Sequence, residues 1–186
     1  MRNHHVLIVY ASRHGQTEKI AHRLAARLSE LRMHVCAYRC SELPARIRPG
    51  DYMAVAVGSP VHFGRHDRCV ERFARERLAS LDQTPTLFFS VCGAATGESP
   101  ADREEAEGYL EGFARRTGWH AGRAASVAGA VRYTRYGFLT RWVMKRISAK
   151  KGLSTDTSTD HEYTDWDQVD ALAGELAEKA LAASAP

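Results

Sequence analysis

A chain of 186 residues is long enough for a full-sized hydrophobic core, and we expect a single domain over residues 4–183. No apolar run approaches the roughly 20 residues that cross a bilayer. The first apolar run is too short for a signal peptide, so we expect a cytoplasmic location. The net charge of +4 is a mild excess, and we expect no nucleic-acid partner. The four cysteines fit this location, because Cys36 and Cys40 lie on an extended segment beyond disulfide reach and no C-x-x-C pair occurs.

Short apolar runs alternate with helical patterns along the chain. Strands are predicted at 6–10, 34–38, 53–57, 86–91 and 126–131. Helices are predicted at 17–32, 68–81, 102–116 and 165–183, the last with Thr164 or Asp165 as N-cap. The continuous apolar run of the first strand is typical of a strand buried on both faces. Five strands alternating with helices predict an α/β fold with a doubly wound parallel sheet.

A connection of about thirty residues, 132–161, separates the fifth strand from the last helix, and connections of that length are usually functional. A helix is predicted at 133–150, with two apolar flanks beside basic residues and no acids. This composition favours an interface with anionic lipid or an amphipathic ligand, the alternative being an ordinary surface helix packed on the sheet. The residues expected at that interface are Arg132, Tyr133, Arg135, Tyr136, Phe138, Trp142 and Arg146.

The segment Ala11-Ser12-Arg13-His14-Gly15-Gln16-Thr17 joins the first strand directly to the first helix. Backbone N–H groups of such a turn, with a helix N-terminus behind them, form a nest for a phosphate. Gly15 allows a positive φ, and two hydroxyls can donate to phosphate oxygens. The segment lacks the Lys-Ser/Thr pair of triphosphate loops and the G-x-G-x-x-G of dinucleotide folds. The alternative is a helix N-cap turn without a ligand.

The pattern Ser12-x-x-Gly15-x-Thr17 resembles the FMN-phosphate signature of flavodoxins, S/T-x-T-G-x-T, with His14 in place of the second Thr. The resemblance implies a flavodoxin-like strand order of 2-1-3-4-5 and FMN as cofactor. It also implies that the loops after the third and fourth strands flank the flavin ring. Phe63 is expected against that ring, the alternative being that it packs on the protein. The expected FMN-binding residues are Ser12, Arg13, His14, Gly15, Gln16, Thr17, Pro60, Val61, His62, Phe63, Gly64, Ser90, Val91, Cys92 and Gly93.

Three segments resemble the menaquinone-dependent protoporphyrinogen oxidases of bacteria. They are residues 12–21, the run Ala128-Gly129-Ala130-Val131-Arg132-Tyr133-Thr134-Arg135-Tyr136, and Thr155-Asp156-Thr157 with Tyr163-Thr164-Asp165-Trp166. The resemblance implies FMN-dependent oxidation of protoporphyrinogen IX to protoporphyrin IX in haem biosynthesis. Electrons would pass to menaquinone or ubiquinone, with the protein peripheral on the anionic cytoplasmic face of the inner membrane. The chain has His62 where that family has a basic residue, and residues 94–100 replace its basic Ala-Arg-Lys element.

No acid–base pair stands out in the sequence, and no metal site is expected. His62 is the candidate catalytic residue, against the ordinary alternative of a solvated loop histidine. Three other functions stay open: an FMN-dependent NAD(P)H:quinone reductase, an electron-carrier flavodoxin, and a non-catalytic flavin-binding or membrane-docking module. The sequence also leaves the oligomeric state open, a homo-oligomer included.

Overall fold

The computed structural model describes residues 5–97, 99–131, 156 and 161–184. Within them the strands are β1 His5–Tyr10, β2 His34–Arg39, β3 Ala54–His62, β4 Arg65–His66, β5 Thr86–Cys92, β6 Arg123–Ala128, β7 Ala130–Val131 and β8 His161–Glu162. The helices are α1 Gln16–Glu30, α2 Arg68–Glu76, α3 Leu78–Leu81, α4 Pro100–Thr117 and α5 Trp166–Ala182. No helix within these ranges is both long enough and apolar enough to cross a bilayer.

Five parallel strands form the central sheet in the order β2-β1-β3-β5-β6. With these five numbered along the chain, the order is the predicted 2-1-3-4-5. The α/β flavodoxin-like fold is therefore confirmed. Two short antiparallel additions lie off this path: β4 extends β3 as a hairpin, and β7 pairs with β8 as a separate two-stranded ribbon.

The core lies on both faces of the sheet, as the continuous apolar run of β1 predicts. Val6 and Ile8 face a cluster closed by α1 and α5, and Leu7 and Val9 face one closed by α2 and α4. All four side chains are fully buried. Burial on that scale stabilises by about 1.5–3 kcal/mol for each large aliphatic side chain. The frame that holds the loops at the carboxyl edge of the sheet is therefore rigid.

Three predicted elements have a boundary that differs from the structure by more than two residues, or an interruption that was not predicted. β3 continues to His62, because its last residues pair with β4 across a tight turn. The helix predicted at 68–81 is broken at Arg77 (φ −112°, ψ 12°), after which Leu81 turns into the core. The strand predicted at 126–131 begins earlier, at Arg123, and is interrupted after Ala128, where the chain leaves the sheet for the ribbon.

The structure pairs two cysteines that the sequence analysis left unpaired. Cys40, just after β2, and Cys69, in the first turn of α2, form a disulfide with their Cα atoms 6.1 Å apart. Spacing along the chain excludes a bridge between the neighbouring Cys36 and Cys40, but it does not show that the end of β2 meets the start of α2. The expectation of four unpaired cysteines is wrong for this pair.

Candidate functional site

The loop between β1 and α1 is shaped by one hydrogen bond and one glycine. The Ser12 hydroxyl accepts from the Gly15 N–H at 3.1 Å, and Gly15 has a φ of 91°. A side chain at that φ would be strained, so glycine suits the turn. Thr17, in the first turn of the helix, is 2% exposed. The turn therefore gathers a hydroxyl and successive backbone N–H groups at the start of α1, as the sequence predicts.

α1 begins without a side-chain cap, unlike the other helices of more than eight residues that the structure describes. Asp67 caps α2, Ser99 caps α4 and Asp165 caps α5, each through a side-chain oxygen that accepts backbone N–H groups. At α1 the capping position is Gly15, which has no side chain to offer. The first N–H groups of a helix need an acceptor, and the positive end of the helix dipole favours an anion. A phosphate fits this position because it supplies the missing acceptors.

An ion pair that sequence reasoning missed supports the loop from the side. Arg39, the last residue of β2, donates to both carboxylate oxygens of Glu18 at 2.8 and 2.9 Å and to the Ser12 carbonyl at 3.3 Å. The Tyr10 hydroxyl donates to the same carboxylate at 3.0 Å. The Arg39 guanidinium holds the pKa of Glu18 below its ordinary value. The sequence does show an acid, Glu18, in the first turn of α1. It does not show the partner of Glu18, because Arg39 comes from the neighbouring strand β2.

The β3–β4 hairpin places Phe63 in an unusual position. Its two turn residues, Phe63 and Gly64, both have positive φ, at 49° and 74°. Such a turn favours Asn or Asp before Gly, because a bulky residue at positive φ is strained. The Phe63 side chain is nevertheless 99% exposed. Both the positive φ and the solvent exposure of the apolar ring are unfavourable for a phenylalanine at this position.

His62 is the last residue of β3 and contacts the phosphate loop. Its ring meets that of His14 edge to face, with centroids 5.5 Å apart. Burial, and then the nearby charges of Arg13 and His14, lower the pKa of His62 to about 4. Asp67 acts weakly in the opposite direction. The imidazole is therefore uncharged at neutral pH, whereas the nearby guanidinium of Arg13 is charged and exposed to solvent.

The hairpin is anchored to the sheet and to two helices. The His66 Nε2 lies 2.9 Å from the Ser90 hydroxyl, and the His66 ring contacts Phe88 and Phe113 edge on. Arg65 pairs with Glu71 of α2 at 3.5 Å, and Arg116 of α4 donates to the same carboxylate at 2.6 Å. Sequence reasoning did not find this role of His66. A histidine opposite Val61 in a hairpin carries no spacing signal.

The loop after β5 differs in detail from the expectation. Ser90, Val91 and Cys92 lie within β5 with buried side chains, and Val91 pairs with the equally buried Pro60. Gly93 is exposed and opens a short turn, Ala94–Thr96. In this segment Gly93 faces solvent, Ala94 is buried, and residues 95–97 are partly exposed. Because β1, β3 and β5 are parallel neighbours, their following loops share one edge of the sheet, where ligands of such folds bind.

The family model of the flavodoxin domain matches residues 7–158. The chain belongs to the flavodoxin family. A flavodoxin from the domain Archaea has a TM-score of 0.57 at 18% identity, covering 95% of this chain and 99% of that one. As a flavodoxin-family protein the chain binds FMN.

Two relatives share a name that is more specific than the family. Protoporphyrinogen IX dehydrogenase (quinone) of Escherichia coli strain K12 is 31% identical over 172 residues, covering 92% of this chain and 93% of the relative. The protein of that name from Leishmania major is 25% identical over 182 residues, covering 95% of this chain and 76% of the relative. These names support a flavin-dependent oxidoreductase.

The residues expected at a membrane or quinone interface, Arg132 to Arg146, lie outside the described residues, as does the helix predicted at 133–150. The structure does describe both ends of this segment. Val131 and His161 face each other in the β7–β8 ribbon, and Thr164 donates to the Ala128 carbonyl at 2.8 Å. The Tyr163-Thr164-Asp165-Trp166 segment thus lies beside β6 and α1, at the same edge of the sheet as the phosphate loop.

Proposed function

We propose that this flavodoxin-family protein oxidises protoporphyrinogen IX to protoporphyrin IX, a step of haem biosynthesis, and passes the electrons to menaquinone or ubiquinone. The observation that carries the proposal is the 31% identity to the E. coli dehydrogenase over 92% of the chain. Phe63 adds to it, because a fully exposed aromatic ring beside a phosphate loop suits a flavin that works against a flat substrate.

FMN, when bound, would supply the redox chemistry in three successive two-electron steps, in each of which a hydride equivalent and a proton leave the substrate and the quinone afterwards takes the two electrons. The chain's own residues orient and insulate that reaction. Ser12 to Thr17 would hold the phosphate, and Phe63 would cover one side of the ring system. The proposed role of His62 is to accept a hydrogen bond from the substrate, since its low pKa keeps the imidazole neutral at physiological pH. The hairpin contacts of His66 and Arg65 keep these groups in place.

The basic stretch supports a quinone and membrane role for the insertion. Residues 112–155 contain no acid but include ten arginines and lysines. We propose that Arg132, Arg135 and Arg146 meet anionic headgroups, with Tyr133, Tyr136, Phe138 and Trp142 at the apolar boundary. The protein would then be peripheral on the inner membrane, where a quinone is reached without a spanning helix.

A comparison of reductants separates this proposal from its rivals. The FMN-loaded protein is mixed anaerobically with protoporphyrinogen IX in one sample and with NADPH in another, and the flavin absorbance is followed. We expect rapid bleaching by protoporphyrinogen IX and slow or no bleaching by NADPH. The reverse result would make the protein an NAD(P)H:quinone reductase. If neither bleaches the flavin, a carrier or a non-catalytic module explains the chain better.

A further inference from the structure

The two ends of the segment 132–160 are tied together and then tied to the phosphate-binding helix. β7 and β8 pair antiparallel, with Ala130 opposite Glu162 and Val131 opposite His161. Immediately after the ribbon, the Tyr163 N–H donates to the Gly129 carbonyl at 3.1 Å. Backbone hydrogen bonds therefore fix the β7–β8 ribbon at the end where the chain leaves β6. The residues at this end contact α1 in two places.

The first contact is a chain of two hydrogen bonds that begins in the phosphate loop. The Gln16 side-chain amide donates to the Thr164 hydroxyl at 2.8 Å, and that hydroxyl donates to the Ala128 carbonyl at 2.8 Å. Gln16 is the first residue of α1 and is 6% exposed. Its backbone N–H is one of those that a phosphate would meet, so Thr164 holds a phosphate-contacting residue from behind.

The second contact converges on one carboxylate of the ribbon. Glu162 accepts from the Lys19 ammonium at 2.7 Å and from the Trp166 indole N–H at 3.1 Å. The Lys19 ammonium also lies 5.0 Å from the centre of the Trp166 ring. Partial burial raises the pKa of Glu162, but hydrogen bonds from Lys19, Gln16 and Trp166 outweigh it and lower the pKa. The carboxylate thus stays ionised and holds the first turns of α1 against the ribbon.

We propose that Thr164 and Glu162 are positioning residues that couple the FMN-phosphate loop to the ribbon at the base of the insertion. Fixing Gln16 and Lys19 before FMN arrives lowers the ordering cost of binding, which is how preorganised sites gain affinity. Linkage makes the effect reciprocal, so a bound phosphate must also steady the ribbon. The inference needs only FMN binding, and it stands whether or not the proposed substrate is right.

The test compares FMN with riboflavin, which has the same ring system but no phosphate. The variants are Thr164→Val and Glu162→Gln, and affinities are measured by quenching of flavin fluorescence. The matched control is Asp170→Asn, which removes the Arg23–Asp170 ion pair between α1 and α5, farther from the loop. We expect Thr164→Val to raise the Kd for FMN about tenfold, equivalent to about 1.4 kcal/mol. The Kd for riboflavin should not change, and Asp170→Asn should change neither.

Two further measurements keep the result interpretable. Thr164→Ser keeps the hydroxyl and should restore FMN affinity, which guards against a Val variant that folds poorly. Hydrogen exchange at the Tyr163 amide should slow when FMN binds the wild type, and should not respond in Thr164→Val. The proposal is overturned if Thr164→Val binds FMN like the wild type, or if it weakens FMN and riboflavin equally.

Discussion

The imidazole rings of His14 and His62 meet edge to face with their centroids 5.5 Å apart. His14 belongs to the phosphate loop and His62 to the β3–β4 hairpin. The contact therefore joins the loop that would bind the FMN phosphate to the hairpin that would lie beside the flavin ring. Because burial, Arg13 and His14 lower the pKa of His62 to about 4, the contact is between a neutral ring and its neighbour at physiological pH.

A permanent charge at His62 should change the flavin's reduction potential. His62→Lys adds a cation beside the flavin, and the electrons gained on reduction add negative charge that the cation stabilises. We expect the two-electron potential to rise by about 30 mV, equivalent to about 1.4 kcal/mol. The neutral control His62→Asn should leave the potential unchanged in the same dye-coupled titration. An unchanged potential in His62→Lys would mean that His62 does not lie at the flavin.

Replacing Phe63 should separate stability from cofactor binding. Phe63→Asn places a residue suited to positive φ in the turn and removes an exposed ring, so the apoprotein should become more stable by a few tenths to about 1 kcal/mol. The FMN Kd should rise about tenfold, because aromatic stacking contributes about 0.5–1.5 kcal/mol beyond buried area. Thermal unfolding of the apoprotein and a flavin titration measure the two effects. A less stable apoprotein would contradict the strain assigned to Phe63, and a normal FMN affinity would show that its ring does not contact the flavin.

His66 should make the fold sensitive to acid. Its pKa is lowered from 6.5 to about 4, chiefly by burial, so the unfolded state binds more protons between those pH values. Its stabilising effect is complete above about pH 6.5 and is lost as pH falls toward 4. Between pH 7.5 and pH 5 the loss expected from His66 alone is about 2 kcal/mol in the free energy of unfolding by urea. His66→Gln should reduce the slope by that amount and leave the part due to His62, whose pKa is also lowered to about 4, and a variant with the wild-type slope would contradict the assignment.

Arg39 should support FMN binding through the phosphate loop. Arg39→Gln removes the bidentate pair with Glu18 and the hydrogen bond to the Ser12 carbonyl. Since partly exposed ion pairs contribute about 0.2–1 kcal/mol, the FMN Kd should rise a few-fold. Arg27→Gln breaks another arginine–glutamate pair, with Glu30 at the far end of α1, and should leave FMN binding unchanged. Equal effects of the two variants would assign the change to general destabilisation of α1.

Removing residues 132–151 tests the role given to the insertion. Residues 152–160 remain to connect β7 with β8, and the FMN-binding loops are untouched. We expect FMN to bind normally while reoxidation of the reduced flavin by a menaquinone analogue is lost. A folded, truncated protein that keeps full quinone activity would show that the basic stretch has another role.

Much of the fold followed from periodicity. The alternation of strands and helices and an N-cap at Thr164 or Asp165 were predictable because buried strands and N-caps leave local signals. The strand order followed from the resemblance to flavodoxins. The breaks at Arg77 and after Ala128 were not, since both are set by tertiary packing. The same holds for the Cys40–Cys69 disulfide, whose partners are 29 residues apart.

Some features of the candidate site were likewise predictable from the sequence, and others depend on tertiary contacts. The turn at Ser12–Thr17 was predictable because its glycine and hydroxyls lie close together along the chain, and its phosphate-binding role stays a prediction. The supporting residues Arg39, His66 and Thr164 were not assigned, because each acts across elements that only folding brings together. The exposure of Phe63 and the burial of Ser90 likewise depend on how the strands end.

The most direct test of the proposed function is one anaerobic experiment. FMN-loaded protein is mixed with one third of a molar equivalent of protoporphyrinogen IX, because each FMN takes up two of the six electrons that the substrate loses, and flavin absorbance and porphyrin fluorescence are recorded. A menaquinone analogue is then added, with a protein-free sample as the control for autoxidation. The account predicts that the flavin bleaches as porphyrin fluorescence appears, and that the quinone restores the flavin band. A flavin that stays oxidised, with porphyrin forming no faster than in the control, would contradict it.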